Sequence, residues 1–157
     1  MTKVPQLPFL EQIQEQSISY NELKGNEHKK NLGQFFTDIN IAKFMASLAN
    51  VNIKQHEINI LDCGSGNGIL AISLLQRLDT LNLSLNVKLH LYEIDQDIIY
   101  SLKSNIEMLQ SHLKNVDLSF TIYQENFILK DINQKFDFII SNPPYFKLNK
   151  ASNEAVK

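Results

Sequence analysis

The sequence carries a single cysteine, Cys63, and a single arginine, Arg77, among its 157 residues. One thiol cannot build an internal disulfide framework or a cysteine-rich zinc site, and it fits a reducing compartment. The four histidines, His28, His56, His90 and His112, have no ligand-like spacing, so no metal site is expected and none is assigned to catalysis. No run of about 18 apolar residues is available to span a bilayer. The start, Met1 to Pro5, also lacks the charged-then-apolar layout of a signal peptide. A cytoplasmic location with no membrane partner is therefore expected. Arginine is the side chain best suited to bidentate contacts with guanine and phosphate. One arginine among fifteen basic residues, at a net charge of −2, gives no compositional sign of nucleic-acid binding. A polynucleotide substrate would have to be gripped largely by another segment, domain or subunit. Internal repeats and low-complexity tracts are absent too. What is present is 43% hydrophobic and 20% charged, the composition of an ordinary globular domain. A folded chain of this size hides about two-thirds of its extended surface. That is enough for one core, but not for a catalytic domain plus a large recognition domain.

The hydrophobic pattern predicts alternating helices and strands. Residues 10–23 read as a weakly amphipathic surface helix, with Ile13, Ile18, Tyr20 and Leu23 scattered among polar residues, and 24–31 as a polar, glycine-containing loop. Asp38 is a good N-cap for a helix that carries Ile41, Ala42, Met45 and Leu48 and ends near Asn50. Four short apolar runs, 57–62, 87–93, 116–123 and 136–141, are compatible with buried strands. Helical stretches separate the first three. Residues 68–78 place Leu70, Ala71, Leu74, Leu75 and Leu78 on one wide face, and 95–113 repeat the pattern with Ile98, Ile99, Leu102, Ile106 and Leu109. Strands alternating with helices predict an α/β fold with a parallel sheet and right-handed crossovers.

Three constellations carry chemistry. In Asp62-Cys63-Gly64-Ser65-Gly66-Asn67-Gly68, glycines at alternate positions join a strand to a helix. They let the backbone turn tightly and let a ligand lie against it, with the free N–H groups of the helix N-terminus nearby. The spacing differs from the dinucleotide fingerprint, and the preceding acid suits a cationic ligand better than a pyrophosphate; the alternative is a plain glycine turn. In Leu91-Tyr92-Glu93-Ile94-Asp95, an acid closes the second strand, where a carboxylate matches the two hydroxyls of a ribose. Glu93 is that candidate, with a solvated strand-end charge as its alternative, and Asp95 reads as the N-cap of the next helix. In Ser141-Asn142-Pro143-Pro144-Tyr145, two prolines stiffen the backbone after the fourth strand. The Asn142 amide oxygen and the Pro143 carbonyl then form an acceptor pair for a planar N–H₂ group, with Tyr145 to stack on its ring. An ordinary proline turn is the alternative.

Together these segments resemble the class I S-adenosylmethionine-dependent methyltransferases, and Asn142-Pro143-Pro144-Tyr145 resembles the motif of those that methylate planar amide or exocyclic amino nitrogens. N6-adenine DNA, N6-adenine or guanine-amino RNA, and protein-glutamine methyltransferases share it. The segment Gly33-Gln34-Phe35-Phe36-Thr37 is similar to the one that opens the catalytic domain of type I and gamma-class type II N6-adenine DNA methyltransferases. This resemblance spans residues 31–148 and implies a Rossmann-like, mostly parallel sheet with S-adenosylmethionine as cofactor. It also implies the site residues. Thr37 would help hold the methionine carboxylate, while Asp62, Cys63, Gly64, Gly66 and Gly68 would surround the methionine moiety. Glu93 would hold the ribose and Ile94 pack on the adenine. Asn126, before Phe127, stands where the family usually has aspartate, and its amide oxygen would accept from the adenine amino group. Asn142, Pro143, Pro144 and Tyr145 would serve in-line transfer to the N6 of a flipped adenine, with no metal and no covalent nucleophile.

The domain layout expected from this resemblance is a helical and loop segment over 1–30 followed by a methyltransferase domain over 31–157 that stops after its fourth strand. A target-recognition domain is missing from it. The chain would then be a fragment, a truncated form or one piece of a split enzyme completed by a second chain, with little or no DNA-methylating activity alone. The rival functions are methylation of RNA or of a protein glutamine, and a non-catalytic interaction module.

Overall fold

A computed structural model of the protein describes residues 8–32, 36–50 and 56–143, without the side chains of 25–32. The elements follow in the order α1 (Phe9–Leu32), α2 (Ile39–Ser47), β1 (Glu57–Cys63), α3 (Ile69–Asp79), β2 (Leu85–Tyr92), α4 (Gln96–Gln110), β3 (Val116–Tyr123) and β4 (Phe138–Ile140), with one 3₁₀ turn at Phe127–Leu129. The strands form one parallel sheet ordered β3-β2-β1-β4. Register aligns the strand ends, pairing Cys63 with Tyr92 and Tyr92 with Tyr123, and Asp62 with Ile140. All four strands therefore deliver their following loops to one edge of the sheet.

Packing explains the pattern. In β2, Leu85, Val87, Leu89 and Leu91 are buried while Asn86 and Lys88 are exposed, the two-residue period of a strand covered on one face. Residues of α3 and α4 share the core with that face, and each buried leucine or isoleucine contributes about 1.5–3 kcal/mol. Helix α3 is buried almost all round, from Ile69 to Leu75 and at Leu78, as expected of a helix packed on more than one side. Helix α2 packs on α3 through Ala42 and Ala46, small side chains that allow close approach. Asp38 caps α2 as expected, its carboxylate accepting from the Asn40 amide at 2.8 Å. Among the described residues no helix is long and apolar enough to cross a membrane.

The predicted loop over 24–31 is corrected: α1 continues through it to Leu32. One interior glycine, Gly25, costs a helix only about 1 kcal/mol, and the lysines and glutamates around it are good helix formers. The predicted strand over 136–141 contracts to three residues at the sheet edge, Phe138–Ile140.

Candidate functional site

The site is built where three strand ends meet. β1 runs out into the glycine loop, whose Gly64 and Ser65 amides both donate to the Tyr92 carbonyl at 2.9 Å, tying the loop to the end of β2. Gly64, Gly66 and Gly68 all have positive φ, at 80°, 54° and 89°. At Gly68, the N-cap of α3, a Cβ would stand 2.9 Å from Leu102 Cδ1, so this glycine is required by the close approach of α4 as well as by its backbone. At Gly66 a Cβ would meet the Phe36 ring at 3.4 Å, whereas beside Gly64 lies open space. The loop thus has walls on the Phe36 and α4 sides and is open at Gly64.

Glu93 follows β2 and is buried. Its Oε2 accepts from the Gly66 amide at 2.7 Å, and its Oε1 from the amides of Ile94 and Asp95 at 2.8 Å. Burial pushes its pKa up, and these three amides pull it down. Ile94, next in sequence, is 47% exposed, an apolar side chain held out at the site's rim. Asp95 caps α4, accepting from the Asp97 amide at 3.0 Å, as its N-cap assignment requires. Asp62 is wholly buried, and among the described residues no donor meets either carboxylate oxygen in good hydrogen-bond geometry, the Ala71 amide being near without closing such a bond. Burial pushes its pKa up to about 8, with the Ala71 amide in the first turn of α3 pulling the other way and the Glu93 charge adding to the rise. The adjacent Cys63 thiol is pushed up to about 11, first by burial and then by Asp62, with Ser141 opposing, so it stays protonated and is no nucleophile at neutral pH.

β4 leads into Ser141, whose hydroxyl donates to the Cys63 carbonyl at 2.6 Å, and then Asn142. The Asn142 Nδ2 donates to Thr37 Oγ1 at 3.0 Å, joining positions 105 residues apart. This bond fixes the amide's orientation, and among the described residues nothing takes its Oδ1. Pro143 follows, exposed. Pro144 and Tyr145 lie outside the described residues, as do Gly33, Gln34 and Phe35. After β3, Asn126 caps the 3₁₀ turn, its Oδ1 accepting from the Ile128 amide at 3.1 Å, and Phe127 packs edge-on against Tyr92 with ring centroids 5.2 Å apart.

Several residues around the loop escaped the sequence analysis. Asn67 is buried inside the loop, and its Nδ2 donates to Ile13 O at 2.9 Å and Ser17 Oγ at 2.5 Å on α1. The Tyr20 hydroxyl donates to Asp95 Oδ2 at 2.5 Å, and the Tyr20 ring meets Phe36 edge-on at 5.9 Å. Asn67 was signalled by standing between two loop glycines; nothing local to Tyr20 marks its contact 75 residues away. A cavity of about 580 Å³ between α1 and the start of α4 touches Phe36 and Asn67 but is not lined by Glu93, Ile94 or Asn142.

Comparison with known proteins agrees with this architecture. The family model described as "Methyltransferase small domain" matches residues 35–157. Type II methyltransferase M.BsuBI of Bacillus subtilis is 31% identical over 92% of this chain and 30% of its own length. The tRNA1(Val) (adenine(37)-N6)-methyltransferase of Actinobacillus pleuropneumoniae is 33% identical over 62% of this chain and 37% of its own. The chain therefore spans about a third of these curated relatives. A crystal structure of a proposed class I S-adenosylmethionine-dependent methyltransferase from Listeria monocytogenes superposes with a TM-score of 0.55 at 20% identity, over 88% of this chain and 42% of that one. With the parallel sheet, the glycine loop and the family match in place, the chain belongs to the methyltransferase small domain family on the class I methyltransferase fold, which implies S-adenosylmethionine as its cofactor.

Proposed function

We propose that this chain is the cofactor-binding and methyl-transfer part of an enzyme that methylates the N6 amino group of adenine in DNA, within a restriction-modification system. The observation that carries the proposal is the Asn142–Thr37 hydrogen bond. It joins the Asn142 motif, shared by methyltransferases of planar nitrogens, to Thr37 of the segment that resembles the opening of N6-adenine DNA methyltransferases. The similarity to a type II methyltransferase over 92% of the chain supports it.

The residues present fit the cofactor. The loop is open at Gly64, the Asp62 oxygens lack partners among the described residues, and Ile94 offers an apolar surface. S-adenosylmethionine supplies, when bound, a methyl group activated by its positive sulfonium. Asp62 and the glycine loop would face its methionine part and Thr37 its carboxylate. Glu93 would take the ribose hydroxyls, Ile94 would pack on the adenine, and Asn126 with Phe127 would border the ring. Asn126 keeps a second lone pair beyond its cap bond for an adenine amino group. Asn142 accepts an N–H of the substrate amine through the Oδ1 that its bond to Thr37 leaves available, and the Pro143 carbonyl accepts the other. Drawing both hydrogens out of the ring plane would favour the transition state by freeing the nitrogen lone pair to take the methyl group, whose bond to sulfur breaks with its electrons left on a neutral thioether. The proton released on transfer passes to solvent. Pro144 and Tyr145 would complete the acceptor turn and stack on the base.

RNA is the second reading, favoured by the identity to a tRNA adenine-N6 methyltransferase over 62% of the chain. Its acceptor chemistry is the same. The test gives the whole enzyme of which this chain is proposed to be a part labelled S-adenosylmethionine, with mixed-sequence duplex DNA, tRNA and a release factor, as the protein-glutamine substrate, offered together. N6-methyladenine in the DNA, lost with Asn142→Ala, is the expected result. Label found only in tRNA or the release factor overturns the DNA assignment.

A further inference from the structure

Helix α1 lies across the starts of α2, α3 and α4. The Gln14 Oε1 accepts from the Ile39 amide at 2.9 Å, at the first residue of α2. Ile13 and Ser17 take the Asn67 amide just before α3, and Tyr20 and Lys24 reach Asp95 and Asp97 at the start of α4. Leu10 and Ile13 meanwhile enter the main core. The Asn67 contact is the most buried of these. Its backbone carbonyl also accepts from Asn105 Nδ2 at 3.0 Å, and the same Nδ2 donates to Gln16 of α1, so the peptide between two positive-φ glycines is held from the α1 side and from α4. Asn67, Ser17 and Asn105 are 3%, 5% and 1% exposed. A buried side-chain network of this kind specifies one geometry, because any partner lost leaves a polar group unsatisfied. One residue back, the Gly66 amide donates to Glu93.

We infer that α1 belongs to the cofactor-binding unit and that Asn67 is a positioning residue, through which Ser17 and Ile13 hold the glycine loop in the conformation that takes S-adenosylmethionine. The inference rests on the proposed binding of that cofactor at the loop. Asn67 acts through the backbone of its neighbours, and among the described residues the hydrogen bond of Ser17 to the loop is the one from Asn67.

The test titrates the full chain and its Asn67→Ala, Ser17→Ala and double variants with S-adenosylmethionine by calorimetry, and measures hydrogen exchange at the Gly66 amide. Loss of hydrogen bonds of this kind weakens cofactor binding roughly tenfold in Asn67→Ala and less in Ser17→Ala. The double variant is no weaker than Asn67→Ala, and Gly66 exchange quickens in each. A purely structural role lowers the melting temperature but leaves the dissociation constant of the folded protein and Gly66 exchange at their wild-type values, and that result overturns the inference. Ser17→Ala, the milder change, keeps the test open where Asn67→Ala fails to fold. Absence of cofactor binding by the wild type contradicts the proposed function instead, and Gly66 exchange in the variants then decides whether α1 holds the loop.

Discussion

Asp62 is the side chain whose surroundings conflict most with its charge. It is wholly buried with no well-formed hydrogen bond from the described residues, and its carboxyl is raised from 3.8 to about 8. The folded value lies above the unfolded one. Its contribution to stability is therefore complete below pH ~4 and declines as pH rises, because the unfolded chain ionises where the folded chain resists; the decline ends near the folded value, about 8. Asp62→Asn removes this dependence. Thermal melts from pH 4 to 8.5 should show the variant gaining on the wild type as pH rises, and parallel curves would contradict the burial of an unpaired carboxyl. Asn142 presents the opposite case, a side chain oriented by a single bond to Thr37 with its acceptor left available. In the whole enzyme of which this chain is proposed to be a part, Asn142→Ala should lower the turnover number by roughly 10²-fold or more, the usual loss for one preorganised polar group, with little change in cofactor affinity. Steady-state kinetics beside a binding titration separates the two effects. At this scale the sequence was informative wherever residue type and position coincide, as for Glu93 at a strand end or Asp38 and Asp95 at helix caps. It was silent on where a side chain's hydrogen bonds go. That Glu93 engages Gly66, and that the Asn126 oxygen caps its own 3₁₀ turn, depends on contacts formed only on folding.

Among the elements, the glycine loop and α3 act together. Gly68 starts the helix in a left-handed conformation, against Leu102 of α4. Gly68→Ala adds a methyl at 2.9 Å from that side chain, so overpacking should destabilise the fold by about 1–3 kcal/mol, and left-handed backbone at an alanine adds about 1–2 more. Urea denaturation measures this; an unchanged midpoint would mean that α4 does not pack where it is described. Strands and helices from β1 to β3 were legible because each announces itself locally, by a short apolar run or a 3.6-residue stripe. Helix α1 was legible only in its first half. Beyond Leu23 its polar, glycine-containing sequence lacks an apolar stripe, and propensity alone did not separate a solvated helix from a loop. β4 was overestimated because Phe136 lengthens the apolar run ahead of Phe138, while only Phe138–Ile140 pair with β1.

For the whole molecule, the parallel sheet and the family were both visible in advance, since alternating elements admit few topologies and the glycine loop, Glu93 and Asn142 follow in a fixed order. Invisible were the long-range ties of α1 to the loop and to α4, which join residues 50 to 89 positions apart. Net charge and the scarcity of arginine also belong to this scale. They predict that the chain itself grips DNA weakly, with a shallow dependence on salt. The central claim is that these residues assemble a working S-adenosylmethionine site, and the most direct test is calorimetric titration of the purified chain with that cofactor, beside Glu93→Ala. Saturable one-to-one binding, weakened roughly 10- to 100-fold in the variant by loss of charged hydrogen bonds, is the predicted result. A folded wild-type chain that takes up no S-adenosylmethionine, or a Glu93→Ala variant that binds it equally well, would contradict the account.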